Sequence, residues 1–478
     1  MKRTTYLTAI MAMPLAACSF MPERIEPPLP VADGWPDGTQ TSQSEAAQLD
    51  WKAFFVAPEL QGLISQALDS NRDLRIAIGR VEEARGRYNI QRADLYPEAA
   101  FGGDYARSRT SEDIAFAGQQ LTTNQFSASV NAGWEIDLWG RVRSLNAAAL
   151  QDWLATDEAR QAVGLSVVKE VANIWLVLRE LDERIIIAQR TVDSRRESVR
   201  IARRRFEVGA APKFDLTQAE TLLTQAENQI LLLRQQRDQA QNALVLLVGQ
   251  PIDLEVRPLS DVEAAVVRDI PPGLPSQLLA NRPDIRAAEH GLRATEANIG
   301  AARAAFFPRI ALTGEFGTAS RALDGLLSGG SETWFISPSI SLPIFDGGRR
   351  RANLAVSKAQ RDIAIAQYEQ SIQIAFRDVA DALAARRWLT EQIAVQQRAL
   401  SSAQERARLS ELRYRNGAAA YIEVLDAERD LFAAEQILVE TRRALLTSEV
   451  GLYAALGGGN NSSFGLTQSD RDNSRQDQ

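Results

Sequence analysis

From about residue 71 to residue 457 the chain is written twice. Asp73-Leu74-Arg75 is echoed by Asp284-Ile285-Arg286, Tyr96-Pro97 by Phe307-Pro308, and Gly140-Arg141 by Gly348-Arg349. Further along, FEVGAAPKFDLTQAE from Phe206 is echoed by YRNGAAAYIEVLDAE from Tyr414, and Leu247-Val248-Gly249 by Ala455-Leu456-Gly457. A chain built from two copies of one unit must be read per unit, because each copy repeats the same solution to the folding problem. The offset is 211 up to the prolines and 208 from Gly140 onward, so the second copy is three residues shorter between Pro308 and Gly348. A length change of that kind belongs in a loop.

Each copy reads as helix, two strands, long helix, short connection, helix. In the first copy Leu165, Val168, Ala172, Trp175, Leu178, Leu181, Ile185, Ala188 and Val192 recur at steps of three and four, the stripe of an amphipathic helix. The pattern predicts one helix from about Arg141 to Phe206, which at 1.5 Å per residue is about 100 Å long. The helix from about Phe214 to Val248, and the one ending before Pro97, read as roughly half that length, so the two would stack end to end beside the long one. Pro97 and Pro308 stop the helices that lead into the strands, because the residue before a proline is pushed out of helical geometry.

Between helices the period changes to two. Phe126, Val130, Trp134, Ile136 and Leu138 alternate with Ser127, Ser129, Asn131, Glu135 and Asp137, and Trp334, Ile336, Ile340, Leu342 and Ile344 alternate with Phe335, Ser337, Ser339 and Ser341. The strands before them place Phe101 and Tyr105 opposite Gly102 and Asp104, and Ile310, Leu312 and Phe316 opposite Thr313 and Glu315. Strands of about ten residues, apolar on one face and polar on the other, are the signature of an outer-membrane barrel. Four strands per chain cannot close one, and an open edge in lipid leaves backbone groups unsatisfied. The wall must be shared: two chains give eight strands and a filled lumen, whereas three give twelve and room for a channel. A trimer is the expectation.

The first twenty residues, MKRTTYLTAIMAMPLAACSF, have the charged start and short apolar run of a secretory signal, too short to span a bilayer. Leu15-Ala16-Ala17-Cys18 resembles the lipobox of bacterial lipoproteins, which implies a signal peptide of residues 1–17 and a lipid (diacylglycerol and an N-acyl chain) on Cys18. Ser19 stands where an aspartate would imply retention at the inner membrane, so delivery to the outer membrane is expected. Cys18 is the one cysteine, so an internal disulfide is excluded. A net charge of −7 and two short basic runs, Arg203-Arg204-Arg205 and Arg349-Arg350-Arg351, give no nucleic-acid footprint; both runs fall near helix ends and read as solvated. One histidine, His290, no phosphate loop and no metal spacing argue against an enzyme and against any cofactor or metal site.

The lipobox, the duplicated unit, WEIDLWGR from Trp134, LPIFDGGR from Leu342 and the two glycine-containing connections together resemble the TolC/OprM outer-membrane efflux proteins, over about Trp51 to Gly457, and most closely the NodT-like lipoprotein branch. The resemblance implies an α+β, mostly α fold: a trimer with a 12-stranded transmembrane barrel continuous with a 12-helix tunnel in the periplasm. It implies a small mixed α/β belt drawn from residues 18–70, from the proline-rich inter-repeat segment 250–280 and from C-terminal residues, with repeats over 71–249 and 281–457 and a polar tail at 458–478. The implied partners are a periplasmic membrane-fusion adaptor, an inner-membrane pump of the RND type, and outer-membrane lipids.

By the same resemblance the two echoing connections, at about 206–215 and 414–423, form the periplasmic tip. Gly209 and Gly417 would permit its tight reversals and meet the adaptor. Glu423 and Asp426, six and nine positions after Gly417, match acids that ring the closed entrance; Asp215 holds the equivalent place in the first copy. A link from Asp215 to Tyr414 is implied for the closed state. Ala419 stands where the family can place a gate arginine, and Arg429, three after Asp426 on one helix face, offers a replacement. The implied function is a passive exit duct for drugs or other small toxic compounds. The alternatives are a duct for metal-ion efflux or type I protein secretion and, more distantly, a periplasmic coiled-coil adaptor lipoprotein.

Overall fold

The structure, a computed structural model, describes residues 20–23, 30–32, 34–35, 49–111, 113, 121–263, 266–267, 270–271 and 277–458. Cys18, the segment before it and the polar tail beyond Gly458 lie outside the described residues. The elements in order are α1 (Trp51–Phe54), α2 (Pro58–Ser70), α3 (Arg72–Ala93), β1 (Glu98–Arg109), β2 (Thr122–Glu135), α4 (Arg141–Glu207), α5 (Lys213–Val248), α6 (Gln277–Asn281), α7 (Pro283–Ala304), β3 (Arg309–Ser320), β4 (Glu332–Ser341), α8 (Arg349–Arg415) and α9 (Tyr421–Ala455). α3 and α7 have 22 residues each, β1 and β3 have 12, and α4 and α8 have 67. The structure corrects one expected length, since α3 is a third of α4 rather than half. Asn71 separates it from α2, accepting from the Leu74 N–H at 3.0 Å as a helix cap, a break that hydrophobic spacing does not register.

The chain divides into two compact units. One comprises Met1–Pro27, Val81–Thr156 and Ala288–Tyr368. Its centre is an antiparallel sheet in the order β1-β2-β3-β4, in which β2 of the first copy pairs with β3 of the second. The register aligns Phe101, Val130, Phe316 and Trp334 in one row across all four strands, and Ala100, Asn131, Glu315 and Phe335 in a neighbouring row on the other face. The apolar row is open: Phe101 is 76% and Trp334 72% exposed. Neither β1 nor β4 has a second strand partner among the described residues. Pro338 fits in β4 because an edge strand can turn its missing N–H away from β3.

At the base of the sheet Glu135 accepts both arms of Arg141 at 2.8 and 2.9 Å and pairs with Arg309 at 2.7 Å, fixing how α4 leaves β2. Trp139 donates to Pro308 O at 2.8 Å and stacks on Phe307, whose other neighbour is Phe20. The second arginine run opens α8 rather than closing a helix, and Asp346 holds it there, accepting from the Arg350 N–H and side chain.

The other unit comprises Pro28–Arg80, Asp157–Ala287 and Glu369–Gln478. The stripe on α4 is its core: Val168, Ala172, Trp175, Leu178, Ala188 and Val192 are buried, and Leu181, Ala188 and Val192 pack on Ala226, Ile230 and Leu233 of α5. Beside the stripe lies a buried ionic knot. Arg179 and Asp182 of α4 are both fully buried, 3.4 Å apart. Asp182 also accepts from Arg237 of α5 at 2.6 Å and from the Arg257 N–H, while Arg179 donates to Glu255 O at 2.8 Å and Trp175 to Glu59 at 2.9 Å. The 250–263 segment and α2 are thereby fastened to α4 by polar bonds to its buried face.

Helices meet end to end at duplicated positions. Gly249, at φ 77°, follows α5 and abuts Ser70 at the end of α2, just before α3, where Asn71 donates to Leu247 O at 2.8 Å. Gly457, also at φ 77°, follows α9 and abuts Asn281 beside α7, where Arg282 donates to Ala455 O at 3.2 Å.

Candidate functional site: the helix reversals

Both long helices reverse through the same glycine turn. After α4, Gly209 (φ 72°) donates to Phe206 O and Ala210 to Arg205 O; after α8, Gly417 (φ 68°) donates to Tyr414 O and Ala418 to Arg413 O. These are Schellman closures, in which a left-handed residue satisfies the last carbonyls of a helix, and glycine adopts that conformation without strain.

The structure gathers the predicted tip residues around a web of arginines. Tyr414 stacks obliquely on Tyr421, 5.0 Å between centroids, and its hydroxyl accepts from Arg205, whose guanidinium lies 5.3 Å from the Tyr414 ring. Glu423 pairs with Arg413 at 3.1 Å, and Arg413 also donates to Ala418 O. Asp426 pairs with Arg429 at 3.3 Å; Arg429 reaches Asp430 at 3.2 Å, and Asp430 meets Arg406 of α8 at 2.5 Å. The hydrogen bond from Arg429, then that from Arg406, holds the Asp430 carboxyl below its usual range. Deeper between α4 and α9, burial pushes the Glu428 carboxyl up, Arg195 opposing and Glu411 adding to the rise.

Asp215 stands in the first turn of α5, with its N–H on Pro212 O, and the Tyr414 hydroxyl accepts from Arg205. Arg205 was read as one of three solvated arginines; its neighbours pair with acids, Arg203 with Glu220 and Arg204 with Glu207, but Arg205 is aimed across the reversals. The duplication held the signal. Arg205 stands four residues before Gly209, and Arg413 four before Gly417, so the two arginines are one position seen twice. His290 is remote from the reversals, on α7 beside Gln151 of α4 at 2.7 Å.

No group of three or more histidine, cysteine, aspartate or glutamate side chains is arranged to hold a metal among the described residues. A sheet whose apolar row is uncovered and whose edge strands have no second partner among the described residues is of the class that meets lipid. Comparison with known proteins agrees. The chain belongs to the outer membrane efflux protein family, whose model matches residues 63–250 and 274–458, and it is a transport channel protein of the outer membrane. It is 40% identical over 465 residues to the toluene efflux pump outer membrane protein TtgC of Pseudomonas putida, covering 96% of each chain, and 41% identical to the outer membrane protein OprJ of Pseudomonas aeruginosa, covering 94% of this chain and 95% of that one. Among solved structures it resembles a membrane protein from Pseudomonas aeruginosa (TM-score 0.86, 40% identity, 92% and 98% of the two chains) and the open state of the MtrE channel of Neisseria gonorrhoeae (TM-score 0.83, 37% identity, 94% and 100%).

Proposed function

We propose that three copies of this chain form the passive exit duct of a tripartite efflux pump, each giving four strands to a 12-stranded barrel and four helical layers to a 12-helix tunnel. The observation that carries this reading is the sheet: its apolar row faces outward uncovered and both edge strands lack a second partner, so lipid exposure requires neighbouring copies to close the wall. The two repeats then lie side by side in each third of the ring, and the elements around 49–70 and 250–281 form the belt on the tunnel's outer side. Lipidation of Cys18 adds an anchor, consistent with Phe20 stacking on Phe307 at the base of the sheet.

The reversals are the periplasmic tip. Gly209 and Gly417 mark the surface offered to the hairpin of a membrane-fusion adaptor, and Glu423 and Asp426 face the entrance with Arg413 and Arg429 as their counter-charges. Opening is a population shift driven by an adaptor that binds the open tip better than the closed one. The inner-membrane partner is an RND-type pump, and the cargo is small toxic compounds such as solvents and antibiotics, in keeping with relatives named for toluene and antibiotic efflux. Chemical crosslinking in cells, followed by purification and identification of the attached proteins, tests the assembly. An adaptor and a proton-driven pump are expected; recovery of a monomer without either would overturn it.

A further inference from the structure

α9 has two unlike faces where it meets α7. On one, Tyr453 donates to Leu49 O at 2.9 Å and stacks on Phe54 at 4.2 Å, so this side is covered by the segment assigned to the belt. At 100° per residue, Ala444, Thr447, Ser448, Gly451 and Ala455 fall on the opposite side. There they floor a cavity of about 680 Å³ flanked by α4 and α8, the volume of a small-molecule site. If the belt is outside the tunnel, this groove faces the lumen.

Its chemistry is specific. The floor is made of small side chains, and a Cβ added at Gly451 would meet nothing within 4 Å, so the hollow is real space. On the α4 wall Lys169 makes no ion pair among the described residues. On the α8 wall Asp381 has only Arg377 at 4.0 Å, while Asp378 is already engaged with Arg282. Asn173 Oδ1 on the α4 wall and Thr447 Oγ1 on the floor have no hydrogen-bond partner among the described residues. A cation and an anion stand on opposite walls of a groove floored by small residues without pairing with each other, and two polar atoms of the lining are unsatisfied.

We propose that this groove binds small amphipathic zwitterions, with an ammonium toward Asp381, a carboxylate toward Lys169 and the apolar body on the floor at Gly451. The placement in the lumen rests on the duct reading; the binding site does not. Such a site would act as a weak station for cargo passing between belt and barrel, set by charge complementarity rather than by a deep pocket.

Norfloxacin, fluorescent and zwitterionic near neutral pH, is the probe, with its methyl ester (cation) and N-acetyl derivative (anion) as controls. Titrated into the full-length protein in detergent, it should bind saturably, with either control weaker by about tenfold, the cost of one lost ion pair at about 1.4 kcal/mol. K169A and D381N, both on exposed parts of their helices, should each weaken it by a similar factor, and Gly451→Leu, which fills the hollow, should abolish it. Absence of saturable binding, controls that bind equally well, or charge variants within twofold of the wild type would each overturn the proposal. Planar-bilayer conductance of the wild-type protein reads the duct separately: pore currents without saturable binding sink the groove alone, and binding without pore currents sinks the duct.

Discussion

The guanidinium of Arg205, in the last turn of α4, lies over the ring of Tyr414, in the last turn of α8, 5.3 Å from its centroid, and donates to its hydroxyl. An exposed cation–π contact is worth about 0.5–1 kcal/mol and a hydrogen bond about as much, so the contact favours the observed tip by about 1–2 kcal/mol per chain. Arg205→Ala should therefore disfavour the observed arrangement by roughly 5- to 30-fold in each chain, read as altered resting conductance in planar bilayers. Tyr414→Phe keeps the ring and loses the hydroxyl, and should have the smaller effect. Equal conductance in all three proteins would show that the contact does not hold the tip.

What the sequence revealed and what it hid follow one physical division. Alternation in residues 126–138 exposed both faces of β2, and the three- and four-residue spacing from Leu165 to Val192 exposed the core stripe of α4, because burial against a surface imposes a period. Interactions without a period were hidden. Arg179 and Asp182 have the i,i+3 spacing of an ordinary surface pair, and only the irregular chain around Glu255 and Arg257 buries them. Arg205 stood in a basic run at a helix end, where solvation is the usual fate; its target lies 209 residues away. The floor of the groove at Gly451 is mostly alanine, glycine and serine, residues whose small size carries little signal in a linear chain.

The buried ionic knot gives a stability prediction. Asp182→Asn removes the counter-charge of a fully buried Arg179 and should cost about 3–5 kcal/mol, because the stranded cation keeps its desolvation penalty. The thermal midpoint in detergent should fall, and protease should cut the 250–263 segment that Arg179 and Asp182 hold. Trp175→Phe, which loses the bond to Glu59 and part of the ring beside Arg179 but keeps the ion pair, should fall less.

The tip ion pairs give a pH prediction. A carboxyl held below its usual range contributes stability that is present above its unfolded value of about 3.9 and is lost as pH falls through the lower folded value. The contact of Asp430 with Arg406 and Arg429 should therefore be unchanged between pH 8 and 5 and be lost only below about pH 4. Hydrogen exchange in the first turns of α9, corrected for intrinsic pH dependence, checks this. Loss of protection already at pH 6 would exclude the pair as the source, and high salt should weaken it throughout because all three side chains are exposed or half-exposed.

The faces of the sheet can be told apart by charge. Phe316 lies in the apolar row with Val130 and Trp334, and its neighbour Glu315 lies in the polar row with Asn131. Phe316→Lys should cost about 2–4 kcal/mol per chain if that row meets the bilayer core, and heat-resistant trimers on SDS gels should disappear. Glu315→Lys should leave them. The reverse result would turn the barrel inside out.

Two pairs of glycines separate conformational need from packing need. Gly417 and Gly457 both take left-handed angles, 68° and 77°, so an alanine at either position carries the same backbone strain of about 1 kcal/mol. Around Gly417 nothing lies within 4 Å of an added Cβ, whereas at Gly457 that atom would sit 2.6 Å from Asn281 O and 2.8 Å from its carbonyl carbon, groups of a backbone that cannot rotate away. Gly417→Ala should therefore fold and assemble with a slightly lowered thermal midpoint, its loss appearing at the tip as weaker capture of the adaptor. Gly457→Ala must separate α9 from the junction of α6 and α7, and Gly249→Ala must do the same to α5 and the junction of α2 and α3, where Ser70 O stands 2.6 Å from the added atom. Both should lower the yield of assembled protein sharply, and should do so together, since the duplication gives them one job in two copies. A Gly457→Ala protein as stable as Gly417→Ala would mean that the helix ends are not in contact, and that end-to-end continuity rests on the neighbouring long helices alone.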